Sequence, residues 1–97
     1  MMIVTGSVQM RPQNLAEAIA ISLEHVSRSG GEPGCVSHAV CQDAEDPCRL
    51  FFFEQWDRAA LAEHFTLPQS REFVAALMRL ATSAPQISVY AAEAVHP

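Results

Sequence analysis

Glu54, Trp56 and His64 lie close together in the chain, and His38 stands a little before them. Each could act on a bound molecule. An imidazole at His64 can take up or release a proton near neutral pH, and its position after Trp56 suits a helix folding back over a strand. The indole N–H of Trp56 can orient an acceptor, although a lone tryptophan in a short chain also serves simply as core. Glu54 follows the apolar run Leu50-Phe51-Phe52-Phe53. Such a carboxylate either pairs with an arginine, Arg71 being the nearest candidate in kind, or sits in a cavity with its pKa raised; the ion pair is the expectation adopted. His38 is either a second titratable ring in the same place or a packed ring, and packing is the simpler reading. Phe52 alternates onto the face of Glu54 and Trp56, and Phe73 lies on the apolar side of a later helix, so both are assigned with them to the wall of one pocket.

Cys35, Cys41 and Cys48 make an odd count with no C-x-x-C pair and no histidine at a zinc-site spacing from them. Neither a disulfide framework nor a structural metal is indicated, and the expected compartment is the reducing cytoplasm. Cys35 has no histidine or aspartate at a spacing that would activate it, so it reads as a small packed residue. No sequence pattern for flavin, haem or zinc appears, and none of these cofactors is expected.

The elements that must position these residues follow from periodicity and breakers. Ile3 to Met10 alternates loosely and ends at Arg11-Pro12, which predicts a first strand. Asn14 with Glu17 has capping-box spacing, and Leu15, Ala18, Ile19, Ser22, Leu23 and Val26 form a helical stripe that stops at Gly30-Gly31. After the Glu32-Pro33-Gly34 turn, Cys35 to Cys41 predicts a strand with Val36, His38 and Val40 on one face. A third strand begins at Leu50 and ends at Trp56, apolar on both sides. Asp57 can cap a short helix carrying Leu61, His64 and Phe65. Pro68 then opens a longer helix with Phe73, Leu77 and Leu80 on one side, ending near Ala84-Pro85. Ile87 to Val95 is the last strand. The order is βαββαβ, one antiparallel sheet with two crossovers in a single α+β domain spanning residues 1–97.

A chain of 97 residues holds one core, yet 49% of it is hydrophobic and only 18% charged. That surplus of apolar side chains implies an interface or a pocket beyond the core. Phe51 and Phe53 point away from the face that the helices can cover, so a second copy of the chain is the expected cover and a homodimer the expected assembly. The net charge of -5, with scattered arginines and no basic cluster, excludes the phosphate-neutralising footprint of a nucleic-acid binder. No stretch approaches bilayer-spanning length, and no membrane partner is expected.

With the elements in place, a series of residues stands out: Glu32-Pro33-Gly34-Cys35, Asp46-Pro47, Phe53-Glu54-Gln55-Trp56-Asp57, Ala60-Leu61 and His64. In that order and spacing they resemble the antibiotic biosynthesis monooxygenase family, which includes quinol monooxygenases, over about Ile3 to Tyr90. The resemblance implies a ferredoxin-like fold paired into a dimeric α+β barrel, with a pocket between sheet and helices. It also implies oxygen insertion into a phenol, quinol or anthrone without flavin, haem or metal, the substrate acting as its own reductant. On that basis Trp56 and His64 are the expected catalytic residues, and Phe52, Glu54, His38 and Phe73 the expected contacts to a small aromatic substrate. The family also holds haem-degrading enzymes, at least one isomerase and many members of unknown role, so the alternative is an isomerase or a non-catalytic small-molecule-binding dimer on the same scaffold. The chain departs from the family pattern at His38, where an aromatic residue is usual, and at Pro68-Gln69-Ser70, where P-H-F is common. The helix from Pro68 to Ser83 has no histidine, which ranks haem degradation below quinol oxidation.

Overall fold

The computed structural model describes residues 1–97 throughout. In chain order the elements are β1 (Met2–Gln9), a 3-10 turn (Pro12–Asn14), α1 (Leu15–Gly30), β2 (Cys35–Gln42), β3 (Arg49–Trp56), α2 (Arg58–Thr66), α3 (Pro68–Leu80) and β4 (Gln86–Ala91). The strands form one antiparallel sheet in the order β2-β3-β1-β4. β1 and β2 are therefore separated by β3, and β3 and β4 by β1; α1 and the α2–α3 pair are the crossovers of a ferredoxin-like α+β fold. No helix is long and apolar enough to cross a membrane.

Register explains the division of faces. Val4 lies opposite Glu54, Gly6 opposite Phe52 and Val8 opposite Leu50, so the even-numbered residues of both central strands point to the helices. Val8, Leu50 and Phe52 join Met10, Ala18, Leu77 and Ala81 in the main core cluster. Val4, Trp56 and Leu61 form a second cluster nearer the start of α2. The clusters do not merge, and the polar side chains of the site lie between them.

Five local expectations are corrected. The pairing of β2 with β3 slips between Cys35 and Ser37, so Val36 is the extra residue of a β-bulge and is 57% exposed. Cys35, not Val36, thereby packs beside Trp56. Asn14 makes no side-chain cap to α1, because the preceding 3-10 turn aims its amide at the carbonyl of Leu80 instead. The buried stripe of α1 is Ala18, Ser22, His25 and Ser29, whereas Leu23 is 56% exposed. At the far end, α3 stops at Leu80 because Ala81 bridges to Met10 and the Thr82 N–H donates to Gln9. β4 ends at Ala91 rather than Val95.

The opposite face of the sheet has no helix over it. Phe51 and Phe53 are 38% and 36% exposed there.

Candidate active site

Glu54 is the centre of the site. β3 aims it at the helices, and the adjacent Trp56 side chain folds back so that its N–H donates to Glu54 Oε1 at 2.9 Å. The same oxygen is 3.1 Å from Nε2 of His38 on β2 and 3.7 Å from Nε2 of His64 on α2. Arg71 is exposed and does not pair with Glu54, so the expected ion pair gives way to an indole and two imidazoles. The alternative, a raised pKa, is not found either. Burial, the largest influence, pushes the carboxyl up, but the His38 contact and the Trp56 N–H, with His64 nearby, hold it below its ordinary value.

His64 is buried and oriented from behind. Its Nδ1 is 3.1 Å from both carboxylate oxygens of Glu32 and 3.5 Å from Ser70 Oγ. A carboxylate at Nδ1 fixes the proton there and leaves Nε2 available, the arrangement by which a general base is kept in one tautomer. The local backbone makes this possible. Gly34 adopts φ 84°, and a Cβ there would be driven into the Ala60 side chain at the first turn of α2. The Asp57 N–H donates to the Gly34 carbonyl at 2.9 Å. The Glu32-Pro33-Gly34-Cys35 turn thus lies directly on the helix that carries His64, and its Glu32 reaches the ring.

His38 faces the site, with its side chain 1% exposed. Its Nε2 approaches Glu54 too far off line for a hydrogen bond, and neither ring nitrogen has a partner. His25 completes the group from α1. It stacks on Phe73 with ring centres 4.0 Å apart and planes 6° from parallel, accepts from Arg28 at Nδ1, and has Ser29 Oγ 3.5 Å from Nε2. Burial first, then His38, Arg28 and His64, pushes His25 down from 6.5 to about 3, so the ring is neutral at pH 7.

A cavity of about 90 Å³ opens beside these rings, lined by His25, His38, Glu54, His64, Phe52 and Phe73 among others. Phe65 and Ile87, 40% and 51% exposed, flank its outer side. Of the residues expected from sequence, His64, Glu54, His38, Phe52 and Phe73 line this cavity. Trp56 does not: it is fully buried, and its N–H is committed to Glu54, so it positions that carboxylate from behind. Sequence reasoning misses His25 altogether, and it marks Glu32 only as part of a turn motif and Ser70 only as a departure from the family pattern, with no site role for either. The signal for His25 was its spacing from Ala18 and Ser22 on one side of α1. Cys35 is pushed up by burial and by Glu32 and Glu54, the reverse of an activated thiol.

The fold and this polar group beneath an apolar cavity define a class of small α+β proteins with a pocket between sheet and helices. Residues 1–76 match the model of the antibiotic biosynthesis monooxygenase family, and the chain belongs to that family. It is similar to the uncharacterized protein sll1783 of Synechocystis sp. PCC 6803, 35% identical over 89 residues, which are 91% of this chain but 60% of that protein. A candidate antibiotic biosynthesis monooxygenase of Deinococcus radiodurans superposes with a TM-score of 0.92 at 25% identity, covering 100% of this chain and 98% of the other. Rv0793 of Mycobacterium tuberculosis shares the fold at a TM-score of 0.88 and 24% identity, covering 99% and 98%.

Proposed function

We propose that the chain is a monooxygenase that oxidises a small hydroxylated aromatic with O2, using no bound cofactor, and that it works as a homodimer in the cytoplasm. One observation carries the reading: an apolar cavity ends on a buried imidazole, His64, whose other nitrogen is held by a carboxylate, Glu32. That pair removes a phenolic proton at Nε2 and stabilises the resulting imidazolium, a step in the range of about 100- to 10,000-fold for general acid–base catalysis. The apolar walls exclude water from the phenolate. The electron-rich anion passes one electron to O2, the radical pair joins as a peroxide on the ring carbon, and loss of water leaves the oxygenated quinone. Carbon is oxidised and O2 reduced with no other reductant.

Cavity size favours a compact substrate. About 90 Å³ is less than the roughly 150 Å³ that admits benzene to a closed cavity, so a one-ring quinol fits with modest opening at Phe65 and Ile87 and a tricyclic anthrone needs more. The test is oxygen uptake by chelator-treated protein with benzoquinols and naphthoquinols of increasing size. Consumption tied to His64 supports the reading; no consumption with any of them contradicts it. Proton transfer between His64 and Glu54 would also serve an isomerase, which the same substrates would reveal by turnover without oxygen.

A further inference from the structure

We propose that His25, His38 and His64, with Glu54 as fourth ligand, form a binding site for a divalent first-row transition ion such as zinc or cobalt. This goes beyond the oxygenase reading and does not depend on it.

Three elements supply the imidazoles, α1, β2 and α2, and one nitrogen from each lies within 4.8 Å of the other two. Their ring centres are 5.3, 5.6 and 5.8 Å apart. An ion held tetrahedrally at about 2.0 Å from each nitrogen sets ring centres roughly 5 Å apart, so small side-chain rotations close the site. Glu54 Oε1, at 3.1 and 3.7 Å from the Nε2 atoms of His38 and His64, brackets the about 3.3 Å edge of such a tetrahedron.

The chemistry of the donors points the same way. His38 is a nearly fully buried ring whose Nδ1 has no partner and whose Nε2 faces the Glu54 carboxylate at 3.1 Å without a hydrogen bond, an arrangement that is costly unless something binds there. A carboxylate oxygen facing two imidazole nitrogens calls for a cation between them. Glu32 on Nδ1 of His64 is the outer carboxylate that orients metal-binding histidines, and the Trp56 N–H fixes Glu54 in the same manner. Nitrogen donors with one oxygen suit zinc, cobalt, nickel or copper over magnesium or calcium. Arg28 is the competitor: it holds His25 Nδ1 at 2.6 Å, and because it is exposed it can swing away to let that ring turn. An ion here occupies the nitrogens that would accept the substrate's proton, so metal loading and the proposed base catalysis exclude one another.

The experiment is calorimetric titration of the chelator-stripped full chain with zinc chloride and with cobalt chloride at pH 7.5. The expected result is one ion per chain with a micromolar or tighter Kd. Each of His25→Ala, His38→Ala and His64→Ala should weaken binding by at least ~100-fold, more than the usual ~10- to 100-fold loss of an outer-shell partner, and His96→Ala should not change it. The cobalt form of the wild-type protein supplies a readout that needs no variant: intense visible bands of a four-coordinate ion, and three imidazole N–H signals shifted by the paramagnetic centre. No saturable binding below about 100 µM, pale six-coordinate cobalt, or binding kept by any of the three alanine variants overturns the site. Oxygen uptake by the stripped protein reports on the oxygenase separately.

Discussion

Two residues divide the work at the centre of the site. His64 meets the cavity and is the proposed base, while Trp56 stays outside the cavity, its N–H on Glu54 and its ring packed 4.4 Å from that of His64. Their substitutions should differ in kind. His64→Ala should lower kcat by about 100-fold or more with a small change in KM, measured by initial rates of oxygen uptake. Trp56→Phe should leave KM near its original value and move the acid limb of the pH–rate profile upward, because Glu54 loses the N–H that favours its anion. An unmoved pH profile in a folded Trp56→Phe protein would deny the positioning role. His25 makes a separate prediction about stability. Its folded-state pKa of about 3 lies below the ordinary 6.5, under the influence of burial, His38 on β2, Arg28 on its own helix and His64 on α2, with Glu54 on β3 opposing. The unfolded chain therefore binds more protons between these values, so stability present above pH 6.5 falls as pH drops towards 3. Glu54, also depressed, adds a loss of the same sign below the ordinary carboxylate range. His25→Phe keeps a ring on Phe73 and should flatten the decline between pH 6.5 and 5, read from urea midpoints; an unchanged slope would contradict it.

At the scale of elements, the turn before β2 connects the sequence pattern to the site. Gly34 has φ 84° and lies against Ala60, so Gly34→Ala combines backbone strain with a forced separation of turn and helix. A loss of about 1–3 kcal/mol in urea unfolding is expected, along with a drop in activity as Glu32 retreats from His64. Wild-type stability in that variant would mean that the turn carries no such constraint. This contact also accounts for what was legible beforehand. The element order, the breakers at Pro12, Gly30 and Pro68, and the alternation of Phe52, Glu54 and Trp56 are local features, and each survives in the fold. What depended on tertiary placement was not legible. Leu23 looked like core and is exposed, because small Ser22 and Ser29 let α1 approach the sheet along the side that carries His25. A bulge cannot be seen in Cys35-Val36-Ser37, so alternation alone puts Val36 on the wrong face. Charge alone pairs Glu54 with Arg71, whereas its partners come from its own strand, β2 and α2. The three histidines show no metal spacing along the chain because α1, β2 and α2 bring them together only in the folded molecule.

For the whole molecule, the uncovered face of the sheet is the remaining apolar surface. Phe51 and Phe53 project there from a central strand, with Tyr90 53% exposed on β4. A second copy packed face to face would remove these rings from water, at about 25 cal/mol per Å² buried. Phe53→Glu should therefore release monomers in light scattering while the wild-type chain stays dimeric at micromolar concentration; a monomeric wild type would remove the dimer from the account. The pocket lies on the opposite side of the sheet, so the monomeric variant should retain an intact site. The proposed chemistry has O2 react with the bound aromatic itself. Mass spectrometry of the quinone made from a reduced naphthoquinone and isotopically labelled O2 with chelator-treated protein decides it. One labelled oxygen atom per product molecule is expected, formed at a rate that collapses in His64→Ala. Product without label, or the same turnover in the absence of oxygen, would contradict it.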